Sequence, residues 1–195
     1  MLYRLARALI RFWARVVLRW QIEGREKFPA SGPVLLAINH TSAFDPFLGG
    51  SAIDRKVHFM AKEELFRFSP LAALLRRVGA FPVRRGESDR QAIRQALALL
   101  EAGQVVGIFP EGTRSRDGRL QHAQTGIAFL AKRGRATVVP MALTRGKRLR
   151  VVIGEPLQVG DEDTATAPGE GAHELYRRFA DLVMQKINEM MEQDR

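Results

Sequence analysis

The chain has 195 residues, enough for one domain with a sizeable core, and its 46% hydrophobic and 27% charged residues exclude disorder as its main state. Cysteine is absent, which excludes disulfides, thiolate nucleophiles and Cys-ligated metal sites. A net charge of +10 points to nucleic acid, a membrane surface or an anionic substrate, without choosing among them.

Arg4, Arg7, Arg11, Arg15 and Arg19 recur every three or four residues within 1–22, a stretch with no acid. At roughly 100° per residue they share one face of a helix. Leu2, Leu5, Leu9, Phe12, Trp13, Val16 and Trp20 take the other. This pattern predicts a basic amphipathic helix lying in a membrane interface, with Phe12, Trp13 and Trp20 in the apolar face and the five arginines near anionic headgroups. A surface helix packed on its own domain has the same pattern. A transit peptide would be Ser-rich, and this stretch has no Ser. No run of 18 apolar residues occurs: the stretch from Pro33 to Ile53 is broken by Asn39, His40 and Asp45, so no transmembrane helix is expected.

Glu23 to Pro33 is rich in turn residues. Val34–Ile38 reads as a buried strand, and Asp45-Pro46 as a helix start with Asp45 as N-cap. Val57–Met60 reads as a strand, 62–77 as a helix interrupted at Ser69-Pro70, and Ala80–Val83 as an edge strand. Ser88 with Gln91 forms a capping box opening a helix that ends at Gly103. Val105–Phe109 is another strand, followed by a helix at 126–133, strands at 136–143 and 149–153, an acidic loop at 160–171 and a final helix at 172–193. Strands alternating with helices predict a single α/β domain with a mainly parallel or mixed sheet flanked by helices. The division expected is a membrane-binding helix at 1–22 and one domain at 23–195.

The charge divides along the chain. Residues 1–150 hold 27 basic and 11 acidic side chains, and 151–195 hold 4 and 10. Within 112–150 there are ten basic groups and only Asp117 opposing them. Sites in open α/β sheets form beyond the carboxyl ends of strands. His40 and Asp45 follow the 34–38 strand, Arg84 and Arg85 the 80–83 strand, and Glu111, Gly112, Thr113 and Arg114 the 105–109 strand. Two readings of His40 and Asp45 stand on spacing alone. Asp45 caps the helix and His40 is a satisfied loop residue, or Asp45 holds one imidazole nitrogen and leaves the other to take a proton. No G-x-S-x-G elbow accompanies them, which leaves Ser42 as a weak nucleophile candidate and disfavours an ester hydrolase. Arg114 and Arg85 suit phosphate, and Gly112 permits close backbone approach. His58, His122 and His173 lack metal-ligand spacing, so no metal is expected, and no nucleic-acid reading motif occurs.

Four strings in order resemble the glycerolipid acyltransferase family typified by 1-acylglycerol-3-phosphate acyltransferases. They are Asn39-His40-x4-Asp45, Gly79–Arg85, Phe109–Ser115 with Glu111-Gly-Thr-Arg114 inside it, and Val138-Val139-Pro140. The resemblance covers about residues 23–155. It departs at Arg84, where the family often has an acid, and at Ala123-Gln124, where it often has Phe-Lys. It implies O-acyl transfer from acyl-CoA or acyl-carrier protein to the hydroxyl of lysophosphatidate, giving phosphatidate, or to another lysolipid such as lyso-ornithine lipid. His40 would be the general base and Asp45 its orienting partner. Arg85, Glu111, Gly112, Thr113 and Arg114 would bind the acceptor, and Pro140 would shape the site wall. No cofactor beyond the acyl donor is implied. A monotopic, anionic-membrane-bound enzyme with its site on the cytoplasmic side is expected, and no nucleic-acid partner.

Overall fold

A computed structural model describes residues 2–84, 89–115, 120–160 and 171–193. The elements run α1 (Leu2–Val16), β1 (Gln21–Glu23), β2 (Val34–Ile38), α2 (Asp45–Ala52), β3 (Val57–Lys62), α3 (Ser69–Arg77), β4 (Phe81–Val83), α4 (Arg90–Glu101), β5 (Val105–Ile108), α5 (Gly126–Arg133), β6 (Thr137–Arg145), β7 (Leu149–Ile153) and α6 (Ala172–Glu192). Seven strands form one sheet in the order β1-β7-β6-β2-β5-β3-β4. Every pairing is parallel except β6 with β7, which form an antiparallel hairpin. This is the α/β domain with a mixed sheet that the alternation of strands and helices predicts.

β2 sits centrally, and its five residues Val34–Ile38 are all fully buried. Because side chains alternate along a strand, Leu35 and Ala37 enter one core with Phe179, Val183 and Leu100 of the α4–α6 side. Val34, Leu36 and Ile38 enter a second core with Leu48 of α2 and Ala14 of α1. Burial on both faces is what a run without a polar alternation requires. Polar side chains begin only past the carboxyl end of β2, at Asn39 and His40.

Several boundaries differ from the sequence reading. α1 ends at Val16, and Gln21–Glu23 forms a strand that closes the sheet edge against β7. The helix expected over 62–77 is strand to Lys62, a short 3-10 turn at Glu63–Phe66, then α3. Asp45 is the first residue of α2, not its cap: its carboxylate accepts amides from Thr41 and Ser42 behind it. Helix α4 is capped by Asp89, whose Oδ1 accepts from Gln91 and Ala92 at 3.0 Å each. Ser88, the expected cap, lies outside the described residues.

α1 packs on α2 through its arginine face. Arg11 donates to the carbonyls of Ser51 (2.7 Å) and Ile53 (2.8 Å) and to Asp54 Oδ1 (3.1 Å), and Arg7 reaches the carbonyls of Ile53 and Asp54. The unpaired carbonyls at the end of a helix carry partial negative charge and attract cations. The arginine stripe therefore serves partly as an internal clamp. Leu2, Leu5, Leu9, Phe12 and Val16 are left exposed, with Phe12 at 70%. Arg4, Arg15 and Arg19 remain exposed, whereas Trp20 lies beyond the helix and packs partly into the second core.

Candidate active site

The site is built where β2 ends. Asn39 is fully buried, and its side-chain amide donates to the Leu143 carbonyl (3.0 Å) and accepts from the Leu143 amide (2.7 Å). It continues the sheet by imitating a backbone unit, at the point where β2 itself leaves β6. This fixes where the next residue, His40, emerges.

His40 is 6% exposed and stacks on Phe109 with ring centroids 3.9 Å apart. Phe109 in turn stacks on Phe59. Phe59 is seated against Gly107, where a Cβ would fall 2.3 Å from the ring, so only glycine fits under it. His40 Nδ1 lies 3.1 Å from Asp45 Oδ2. A carboxylate can only accept, so Nδ1 carries the proton of this hydrogen bond, and in the neutral imidazole Nε2 keeps its lone pair.

Asp45 is fully buried. Its Oδ2 also accepts the amides of Thr41 (2.7 Å) and Ser42 (2.6 Å), and its Oδ1 accepts from Arg145 Nη2 at 2.5 Å. Burial pushes this carboxyl up, but the hydrogen bonds from His40, Arg145 and the Ser42 amide outweigh it and hold it below the usual carboxylate range. Asp45 is thus an ionised group that both orients His40 and folds the loop leading to α2.

The Glu111–Arg114 turn lies against the same loop. Glu111 is 4% exposed, and its two carboxylate oxygens accept the amides of His40 (3.0 Å) and Gln121 (3.1 Å). The Ser115 amide returns a bond to the His40 carbonyl at 2.8 Å. Glu111, expected in the acceptor site, lines the neighbouring groove and also brackets the two signature loops. Gly112 has φ +72°, a left-handed conformation that glycine adopts without strain. Thr113 is exposed and hydrogen-bonds Gln121, and Arg114 is exposed. Pro140 is buried within β6, paired with Ala37 three residues before His40. Arg85 lies outside the described residues. Of the basic run at 112–150, Arg145 is drawn to Asp45, and Arg150 pairs with Glu23 across β1 and β7.

Two spaces flank this centre. An apolar cavity of about 300 Å³ is lined by Ile10, Ala43, Phe47, Gly50, Phe59 and Leu75, so it touches the His40–Asp45 loop, α1 and α3. A groove of about 440 Å³ passes Arg84, Phe109, Glu111, Gly112 and Thr113. Met60 lines both. The centre thus combines a carboxylate holding a buried imidazole, an apolar cavity and a groove with Arg84 on its rim.

A family model described as Acyltransferase matches residues 19–144. The chain belongs to the acyltransferase family. It is 33% identical over 152 residues to a 1-acyl-sn-glycerol-3-phosphate acyltransferase of Bacillus subtilis, covering 72% of this chain and 75% of that one. A lyso-ornithine lipid O-acyltransferase of Pseudomonas aeruginosa is also 33% identical, over 82% of this chain and 62% of its own. The crystal structure of the 1-acyl-sn-glycerophosphate acyltransferase from Thermotoga maritima superimposes with a TM-score of 0.72 at 21% identity, covering 96% of this chain and 80% of that one. The fold and the enzyme class, acyl transfer, are therefore those that the four signatures imply.

Phe109 and Asn39 were visible as signature residues, but the sequence assigned them no task. Arg145 lies outside all four signatures and had no signal beyond membership of a basic run.

Proposed function

We propose that this acyltransferase moves a fatty acyl group from a thioester, acyl-CoA or acyl-carrier protein, to lysophosphatidate. The observation that carries the reading is the buried His40–Asp45 pair set beside the Glu111–Arg114 turn, in a chain whose relatives include acyltransferases of that name. His40 Nε2 takes the proton of the acceptor hydroxyl as its oxygen attacks the thioester carbonyl. Asp45 stabilises the imidazolium. The C–S bond then breaks, the ester forms, and the departing thiolate takes the proton from His40. The apolar cavity beside Ala43 suits the acyl chain, and Arg114 suits the acceptor phosphate. A charge-assisted hydrogen bond is worth roughly 1.5–3 kcal/mol. Arg114→Ala is therefore expected to raise KM for lysophosphatidate by about 10-fold or more, measured by thiol release in mixed micelles. A KM unchanged by the substitution removes Arg114 from the acceptor site.

The Pseudomonas relative favours a second reading, the same chemistry on lyso-ornithine lipid, an acceptor without phosphate. A panel of lysolipids with one donor separates the two, because Arg114→Ala would leave the phosphate-free acceptor little affected.

We further propose that α1 lies in the cytoplasmic leaflet with its apolar face down. Among the described residues no helix is long and apolar enough to cross a membrane. Leu5, Leu9 and Phe12 are exposed on α1, with Phe44 and Phe47 close by at the start of α2. Each such side chain is worth roughly 1.5–3 kcal/mol when fully buried in an apolar phase. Changing Leu5, Leu9 and Phe12 together to serine should lower partitioning onto anionic vesicles by at least about 10-fold in a sedimentation assay. Partitioning equal to the wild type excludes this face as the anchor.

A further inference from the structure

Arg145 stands at the far end of β6 and yet closes the charged cluster around His40. We propose that Arg145 is a positioning residue for acyl transfer, locking the Asp45 carboxylate in the orientation that serves His40. The inference rests on the reading of His40 as the base, and it concerns a residue that the signatures omit.

The geometry is a two-pronged hold. Nη2 of Arg145 donates to Asp45 Oδ1 at 2.5 Å, and Nη1 donates to the Thr41 hydroxyl at 2.6 Å. Three other donors, His40 Nδ1 and the amides of Thr41 and Ser42, all converge on Oδ2. The terminal torsion of an aspartate is broad and nearly two-fold. A carboxylate gripped at one oxygen can still turn, and its second oxygen would be buried and unsatisfied. Arg145 takes that oxygen, fixes the carboxylate plane and supplies the positive charge that favours the ionised form. By also holding Thr41, it ties the turn between His40 and Asp45 to the sheet.

The fold delivers this side chain from 100 residues away. β2 and β6 run together to the Ile38–Met141 pair, and there β2 ends. β6 continues four residues further because β7 pairs with it antiparallel, as far as Arg145 opposite Leu149. The Asn39 side chain clamps Leu143 in the middle of this extension. The overhang therefore sits above the His40–Asp45 loop in a fixed register. Arginine suits the position better than lysine, since only a planar fork offers two neighbouring donors to two acceptors. Arg145 is 39% exposed, so its role is to hold a buried group from the rim of the site.

The test uses the full chain in detergent micelles with Arg145→Ala, Arg145→Gln and Arg145→Lys. In the acyl-transfer assay, kcat is expected to fall between about 10-fold and 100-fold in the Ala and Gln variants, the loss that removing an outer partner of a site residue brings in metal sites. KM for lysophosphatidate should stay within about twofold of wild type, and Lys should recover part of kcat by restoring the charge. A raised KM with unchanged kcat would overturn the proposal and assign the guanidinium to the acceptor. A second readout needs no substrate. In protein labelled with 15N-histidine, His40→Ala identifies the His40 Nδ1–H resonance. This signal should vanish or broaden in Arg145→Ala and return in part with lysine. Its persistence in the folded Ala and Gln variants would sink the idea. A wild-type chain inactive on every lysolipid would refute the functional reading instead, leaving the resonance to decide on Arg145. If the Ala variant fails to fold, the Gln and Lys variants carry both measurements.

Discussion

Replacing His40 with alanine is expected to lower kcat by about 10²–10⁴-fold, the usual worth of a general base, while the fold survives. Survival is expected because the backbone of residue 40 keeps both of its anchors: its amide still donates to Glu111, and its carbonyl still accepts from Ser115. What is lost is the ring stacked on Phe109 and the lone pair on Nε2. Thiol release and lipid product formation measure the first effect, and thermal denaturation followed by circular dichroism measures the second. Turnover near wild type in the folded variant would remove His40 from the chemistry. A variant that unfolds would instead make His40 mainly a packing residue.

Glu111→Ala should harm the protein in a different way. The side chain is buried and accepts two backbone amides, one of which belongs to His40 itself. Each buried N–H left without an acceptor costs roughly 1–3 kcal/mol. Losing both amounts to about 2–6 kcal/mol, a large share of the 5–15 kcal/mol that holds a typical domain together. Glu111→Gln keeps one carbonyl oxygen as an acceptor and should be intermediate in both stability and kcat. Chemical denaturation in detergent, read alongside acyl transfer, separates this from a substrate contact. If Glu111→Ala is as stable as wild type and only KM rises, the carboxylate belongs to the acceptor after all.

The two substitutions show how differently neighbouring signature residues can act. His40 and Glu111 come from separate strings, 71 residues apart, and the sequence presents both as polar residues after buried strands. Under the proposed function His40 acts on the substrate directly, while Glu111 lines the groove and also accepts the His40 amide. Two backbone amides, that of His40 among them, are what the Glu111 carboxyl holds in place.

The arginine stripe of α1 makes a similar point. Its spacing predicts a helix, which forms over Leu2–Val16, and its chemistry predicts an anionic partner. For Arg7 and Arg11 that partner is the carbonyl end of α2, with Asp54 beside it. Periodicity reports which residues share a face, but not what the face meets. The exposed residues of this helix include Leu5, Leu9 and Phe12 together with Arg4 and Arg15, so the proposed lipid contact would draw on hydrophobic burial as well as charge. The charge of the 112–150 run is likewise partly internal, with Arg150 paired to Glu23 and Arg145 to Asp45.

The sequence by itself determined the class of fold and, through four signature strings, the family, whereas spacing left the pairing of His40 with Asp45 as one of two readings and only the resemblance implied it. Fold class and family rest on local information: runs of buried residues that alternate with helical periods, and short strings of residues in a fixed order. The tertiary structure alone decided the rest. It gave β1 to the sheet, because a three-residue strand carries no periodicity and exists only through β7. It made Asn39 a clamp and Glu111 a bracket, because hydrogen bonds between loops depend on which loops the sheet order juxtaposes. It brought Arg145 to Asp45 across 100 residues, through a strand overhang that no local pattern encodes.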